Sequence, residues 1–294
     1  MPAPARPRRS VLYMPGSNTR ALEKAKALAA DSLILDLEDA VAPDAKVDAR
    51  KNVGEAVRQG GYGGRELIIR TNGLDTSWGR DDVYQAAKAG PDAILLPKVE
   101  SAAMVQEAEA IMKEAGAPAK TTIWCMMETP KGILHAEEIA FASPRLGGFV
   151  MGTNDLAKDL HAHHTAMRLP LLTSLSICLL AARAAGLAII DGVYGNLDDE
   201  AGFRAACQQG LELGFDGKTL IHPKQLAAAN EVFAPSSAEV DYSRRIIAAF
   251  AAAMAEGKGV VLVDGKLVEN LHVDNAKRLV ALADAIAALE AGLE

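Results

Sequence analysis

Trp124–Gly132, WCMMETPKG, is the stretch whose reading decides the fold. The apolar run Ile123–Met127 passes straight into Glu128 and then into Thr129, Pro130 and Gly132. A short run that is apolar throughout and stops at a Pro- and Gly-bearing loop reads as a parallel strand covered on both faces. Glu128 then stands at the exit of that strand. Working outward, FVMGTNDL at Phe149–Leu156 repeats the pattern, with Asp155 in the corresponding place. On the other side, AILLPK ends at Pro97 and Lys98, and ELIIR ends at Arg70 ahead of Thr71-Asn72-Gly73.

The alternation runs along most of the chain. Strands are predicted at Ser10–Tyr13, Leu33–Leu37, Glu66–Arg70, Asp92–Leu96, Thr122–Met127, Gly148–Met151, Leu187–Ile190 and Gly217–Leu220. Helices are predicted over about Thr19–Ala30, Val47–Arg58, Asp81–Ala89, Ala102–Ala115, Gly132–Phe141 and Asp198–Leu213, with Ser17 or Asn18 able to cap the first. Eight such units favour an α/β fold closed as a (β/α)8 TIM barrel over an open doubly wound sheet. No GxGxxG follows the first strand, which counts against a dinucleotide-binding sheet. The barrel is expected to occupy residues 1–235. Residues 236–294 then form a C-terminal extension: a helix at Ala238–Glu256, a hairpin turning at Asp264-Gly265, and a last helix at Asn275–Leu293. That extension is surplus to the barrel and is expected to pack on it or on a neighbouring subunit.

Bulk properties narrow the function. The 294 residues carry a net charge of -7, which argues against a general nucleic-acid binder. Cys125, Cys178 and Cys207 form no CxxC pair and read as reduced thiols of a cytoplasmic protein. Val11–Met14 is too short for the apolar part of a signal peptide, and Leu171–Ile190 is interrupted by Ser174, Ser176, Arg183 and Gly186, so no membrane span is expected.

In a barrel the active site lies at the C-terminal ends of the strands. Those ends supply Asp36, Glu38, Arg70, Lys98, Glu128 and Asp155. Carboxylates without a nearby histidine or thiolate suit a hard divalent cation, so Glu128 and Asp155 are candidate metal ligands. The competing reading makes them loop acids that cap the next helices. Arg70 can bind a substrate carboxylate bidentately or form a structural ion pair with Glu38, and the two roles are compatible. Lys98 reads as a solvated strand-end lysine. The HAHH run at His161–His164 lacks zinc-ligand spacing, His222 reads as structural, and Ser174 and Ser176 lie in no GxSxG. Pro15-Gly16-Ser17-Asn18 with Arg20 and Lys24 offers amides and cations to a phosphate, or is a plain capped helix.

Taken together, RSVLYMPGSNTR, LILDLEDAV, Arg70 with Asn72, LLPKVES, METPKGI, MGTNDLAKDL and GFDGKTLIHPKQ resemble the citrate lyase β-subunit-like family of CoA-ester lyases, within the HpcH/HpaI aldolase superfamily. The resemblance implies a TIM barrel assembled as a homo-oligomer, a trimer or hexamer. It implies a magnesium ion held by Glu128 and Asp155, a substrate oxo- or hydroxy-acid bound by Arg70 and Glu128, and CoA phosphates near Arg20 and Lys24. The implied reaction is carbon–carbon cleavage of a 3-hydroxyacyl-CoA such as malyl-CoA or citramalyl-CoA into an acyl-CoA and a 2-oxo acid. In relatives an aspartate on the C-terminal segment transfers the proton, from the adjacent subunit; DGKLVENLHVDNAK carries Glu269 there, one methylene longer. The alternatives are a malyl-CoA thioesterase, a citrate lyase β subunit acting on a carrier-bound acyl group, and a CoA-independent 2-oxo-acid aldolase.

Overall fold

The computed structural model describes residues 5–292. Contacts divide the chain into a unit spanning Arg8–Phe233 and a second unit containing the chain from Ala234 on. In the first unit the strands are β1 (Ser10–Pro15), β2 (Ser32–Asp36), β3 (Glu66–Arg70), β4 (Ala93–Leu96), β5 (Thr122–Met127), β6 (Leu146–Met151), β7 (Ala188–Asp191) and β8 (Gly217–Leu220). They close in sequence order as a parallel barrel, β8 pairing back onto β1. The helices are α1 (Thr19–Ala25), α2 (Lys46–Gln59), α3 (Gly79–Ala89), α4 (Ala102–Glu114), α5 (Pro130–Leu134), α6 (Ala136–Ala140), α7 (Thr153–Asp159), α8 (Leu172–Ala184), α9 (Glu200–Leu213) and α10 (Leu226–Phe233).

Two expected barrel elements differ, and a third is as expected. The helix expected to reach Ala30 ends at Ala25, where i→i+3 bonds from Lys26 and Ala27 tighten the last turn. The helix expected over Gly132–Phe141 is two short pieces broken at His135, whose Nδ1 is tied to the Glu100 carbonyl at 2.8 Å. The apolar zone Leu171–Ile190 resolves into α8 and β7, and no helix among the described residues is long and apolar enough to cross a membrane.

Strand side chains alternate between two cores. Val11, Ile34, Ile68, Leu95, Trp124, Met126, Val150 and Ile190 fill the barrel interior, while Leu12, Leu33, Leu35, Ile69, Ile94, Ile123, Cys125 and Phe149 face the surrounding helices. Trp124 is fully buried inside the barrel, and Gly148 on the neighbouring strand makes room for it: a Cβ there would stand 2.9 Å from the indole. Counting on by two from these interior residues decides the site. Ile34 leads to Asp36, Ile68 to Arg70, Met126 to Glu128 and Val150 to Gly152, so the polar residues cap the same interior column at the C-terminal ends of the strands.

The second unit holds α11 (Ser237–Ala255), the hairpin β9 (Val261–Val263) and β10 (Lys266–Val268), and α12 (Asn270–Ala291). Ser236 and Glu239 form a capping box on α11. Asp264 and Gly265 turn the hairpin with φ of 50 and 76°, a left-handed pair suited to a two-residue turn. Ile246, Phe250, Val263, Val268, Val273 and Ala276 form its core. The last helix starts earlier than expected, at Asn270, and its expected end at Leu293 lies outside the described residues.

Candidate active site

The cavity at the C-terminal mouth of the barrel has a volume of about 340 Å³. Tyr13, Asp36, Arg70, Met126, Glu128, Gly152 and Asp155 all line it. Arg70 is its fixed cation. Nε donates to Asp36 Oδ1 at 2.6 Å and Nη2 to Asp36 Oδ2 at 2.7 Å, a bidentate pair set up by the β2–β3 register that places Asp36 beside Arg70. Nη1 lies 2.8 Å from Glu38 Oε2 and donates to Asp39 at 3.3 Å. The Glu38 contact is ionic and poorly aligned, since that buried oxygen has no hydrogen-bond partner. The Arg70 guanidinium carbon sits over the Tyr13 ring, 4.9 Å from its centroid. The expected Glu38 partner is therefore present but secondary to Asp36, which motif reading placed at the strand end without assigning it to Arg70.

The loop carrying these acids is itself anchored. Buried Lys46 donates to the carbonyls of Leu37 and Glu38, each at 3.0 Å, and Asn72 donates to Leu37 O at 2.9 Å. Asp36 accepts from the backbone N–H groups of Glu38 and Ala40, both at 3.0 Å.

Glu128 is not a helix cap. Thr129 takes that role on α5, accepting from the Gly132 N–H at 3.0 Å, and leaves the Glu128 carboxylate facing the cavity. Its Oε1 accepts from the Lys98 backbone N–H at 2.8 Å. Gly152 packs so closely against its side chain that a Cβ there would overlap it. Burial pushes the Glu128 carboxyl up to about 7, against the lowering effect of the Lys98 amide and Arg70, and Asp155 adds to the rise. Asp155 lies in the first turn of α7 and makes no capping bond. Among the described residues its carboxylate has only loose ionic neighbours, Lys98 at 3.9 Å and Lys158 at 3.8 Å. Two carboxylates lining one cavity, one of them held back from ionising chiefly by burial, suit a hard divalent cation. The donor set fits magnesium.

Lys98 is exposed, as expected of a strand-end lysine, but its placement was not foreseen. Its backbone sits at φ 48°, unusual for a residue with a side chain, and its ammonium is half-exposed over the acids. Burial lowers its pKa, but Glu38 and Asp155 more than reverse this.

Other candidates lie elsewhere. Arg20 and Lys24 are exposed on α1 and do not line the cavity; Asn18 is the residue that caps α1. Glu269 belongs to the second unit, where it is the N-cap of α12 and its backbone N–H donates to His272 Nδ1. His161, His163 and His164 are exposed, and no group of three metal-ligating side chains occurs among the described residues. His222 caps a short turn through the Lys224 N–H. Tyr13, Gly152 and Lys46 were missed by motif reading; inward parity from Val11 and Val150 was the available signal for the first two.

Known proteins resemble this chain over nearly its whole length. The chain is 55% identical to a protein named (3S)-malyl-CoA thioesterase from Cereibacter sphaeroides, over 98% of both chains. It is 41% identical to the citrate lyase subunit beta of Leuconostoc mesenteroides subsp. cremoris, over 95% of this chain and 94% of that one. A structure of CitE from Mycobacterium tuberculosis in complex with magnesium, acetoacetate and coenzyme A superposes with a TM-score of 0.73 at 27% identity, covering 97% of this chain and 100% of that one. These relationships correct the expected reaction. Thioesterases stand at 54–55% identity over the full length, whereas proteins named as lyases or lyase subunits stand at 41% or below, so carbon–carbon cleavage is not the activity the chain's relatives favour. The match to the HpcH/HpaI aldolase/citrate lyase family covers residues 9–223, the whole barrel from β1 to β8, and the chain belongs to that family of enzymes.

Proposed function

We propose that this chain is a magnesium-dependent thioesterase hydrolysing a malyl-type CoA ester. The observation that carries the reading is the convergence of Arg70 with the Glu128–Asp155 pair on one cavity. That pairing suits a small hydroxy acid, and the full-length similarity to malyl-CoA thioesterases favours hydrolysis. Glu128 and Asp155 would hold the magnesium, which when bound supplies a Lewis-acidic charge for the malyl oxygens. Arg70, kept in place by Asp36, offers the substrate carboxylate the second Nη2 N–H, for which the described residues supply no hydrogen-bond acceptor. Arg20 and Lys24 are the cations we assign to the CoA phosphates. Glu269 is the carboxylate we assign to proton transfer: it takes a proton from water as the water oxygen bonds to the thioester carbonyl carbon. The carbon–sulfur bond then breaks, Glu269 passes that proton to the departing sulfur, and CoA leaves as the thiol. We further infer a homo-oligomer, supported by the apolar side chains the second unit leaves exposed, Leu262, Leu267 and Leu271 among them.

The test is product analysis with malyl-CoA and magnesium. Malate and free CoA in equal amounts, without glyoxylate, are expected; glyoxylate with acetyl-CoA overturns the reading. In Glu128→Ala, magnesium binding by calorimetry and hydrolysis are expected to vanish together, and an undiminished rate in excess chelator overturns the metal assignment.

A further inference from the structure

Between the two acids of the candidate metal site lies a lysine that the proposed reaction does not use. Lys98 follows β4 directly, after Pro97, and takes a left-handed backbone conformation at φ 48°. A residue with a Cβ held there is strained, and such strain persists where the surroundings over-determine it. Here two contacts result from it. The backbone N–H reaches Glu128 Oε1 at 2.8 Å, and the side chain stands over the acids, with Nζ 3.9 Å from Asp155 Oδ2 and 4.0 Å from Glu38 Oε1. Neither ionic contact is a close hydrogen bond, and the side chain is 53% exposed, so the ammonium balances the acids without being locked to them.

We propose that Lys98 is the positioning residue of the Glu128–Asp155 pair: its amide fixes Glu128, and its ammonium is a built-in counter-ion that a divalent cation displaces. The two functions are separable. Every substitution except proline keeps the amide, whereas only Lys98 and arginine keep the charge. A counter-ion at this distance steadies the acids in the metal-free protein and competes with the ion that replaces it. Lys158 is the other ammonium near Asp155, at 3.8 Å, but its side chain is 70% exposed and also pairs with Asp159 at 3.4 Å. Its influence on the ion is the smaller one. The inference rests on Glu128 and Asp155 being cation ligands and is independent of thioester chemistry.

The experiment is calorimetric titration of the metal-free full-length protein with Mg2+, repeated with Mn2+ read by electron paramagnetic resonance. Lys98→Met is expected to tighten the ion by roughly five- to tenfold, the scale of one ammonium–carboxylate attraction at about 4 Å in a well-solvated setting that the ion no longer has to replace. Lys98→Gly accepts the left-handed backbone and guards against a folding defect, and it is expected to tighten the ion to the same degree. Lys98→Arg is expected to stay within about twofold of the unaltered protein, and Lys158→Met to change less than Lys98→Met. Unchanged or weaker ion binding in both Lys98→Met and Lys98→Gly overturns the proposal. If the unaltered protein binds neither ion, the ligand assignment itself fails, a result distinguishable from failure of the lysine's role.

Discussion

At the scale of single residues, the site combines acids whose burial and crowding oppose ionisation with one guanidinium that cannot balance them all. Glu38 shows the consequence. Burial is the largest cause of its carboxyl being pushed up to about 7; Arg70 pulls the other way, and Asp39, Glu128 and Asp36 add to the rise. A carboxyl raised on folding holds its proton longer in the folded chain than in the unfolded one. The Glu38 contribution to stability is therefore greatest below the ordinary value near 4.5 and is lost as pH rises towards 7. Glu38→Gln is expected to flatten this fall, with a difference on the order of 2 kcal/mol between pH 5 and pH 7.5 in metal-free protein, read by urea unfolding. Identical slopes for the two proteins would rule out Glu38 as the source. Gly152 makes the complementary point: a residue without a side chain is what lets Glu128 sit where it does.

At the scale of elements, β5 and β6 are the pair on which the site is built. β5 carries Glu128 out of the barrel, β6 delivers Gly152 and, one turn later, Asp155, and the register between them shifts at Ile123/Trp124. Trp124 occupies the barrel interior because β6 presents Gly148 to it. Gly148→Ala introduces a Cβ 2.9 Å from a ring that the surrounding strands hold still, so it is expected to destabilise the fold by about 1–3 kcal/mol, measured by denaturant midpoint. A change within experimental error would show that the indole has room to move. The acid loop after β2 depends on a different device, the Lys46 ammonium clamping two successive carbonyls.

At the scale of the whole molecule, the proposed catalytic groups fall in two compact units, with Arg70, Glu128 and Asp155 in the barrel and Glu269 in the other. If Glu269 serves a neighbouring protomer, mixing inactive Glu269→Ala protein with inactive Glu128→Ala protein should restore part of the activity, because some mixed cavities regain both groups. No recovery after subunit exchange would place both groups of each working site in one chain. Much of this protein was legible in its sequence. Short apolar strands alternating with helices specify a parallel sheet covered on both faces, eight such units favour its closure into a barrel, and strand ends name Arg70, Glu128 and Asp155 as neighbours without a contact being seen. What the sequence left open depends on atoms far apart in the chain. That Arg70 pairs first with Asp36, that Gly152 makes room for Glu128, and that Lys98 reaches Asp155 follow from strand register and interior packing. Register is set by the closure of all eight strands together, and no local spacing encodes it.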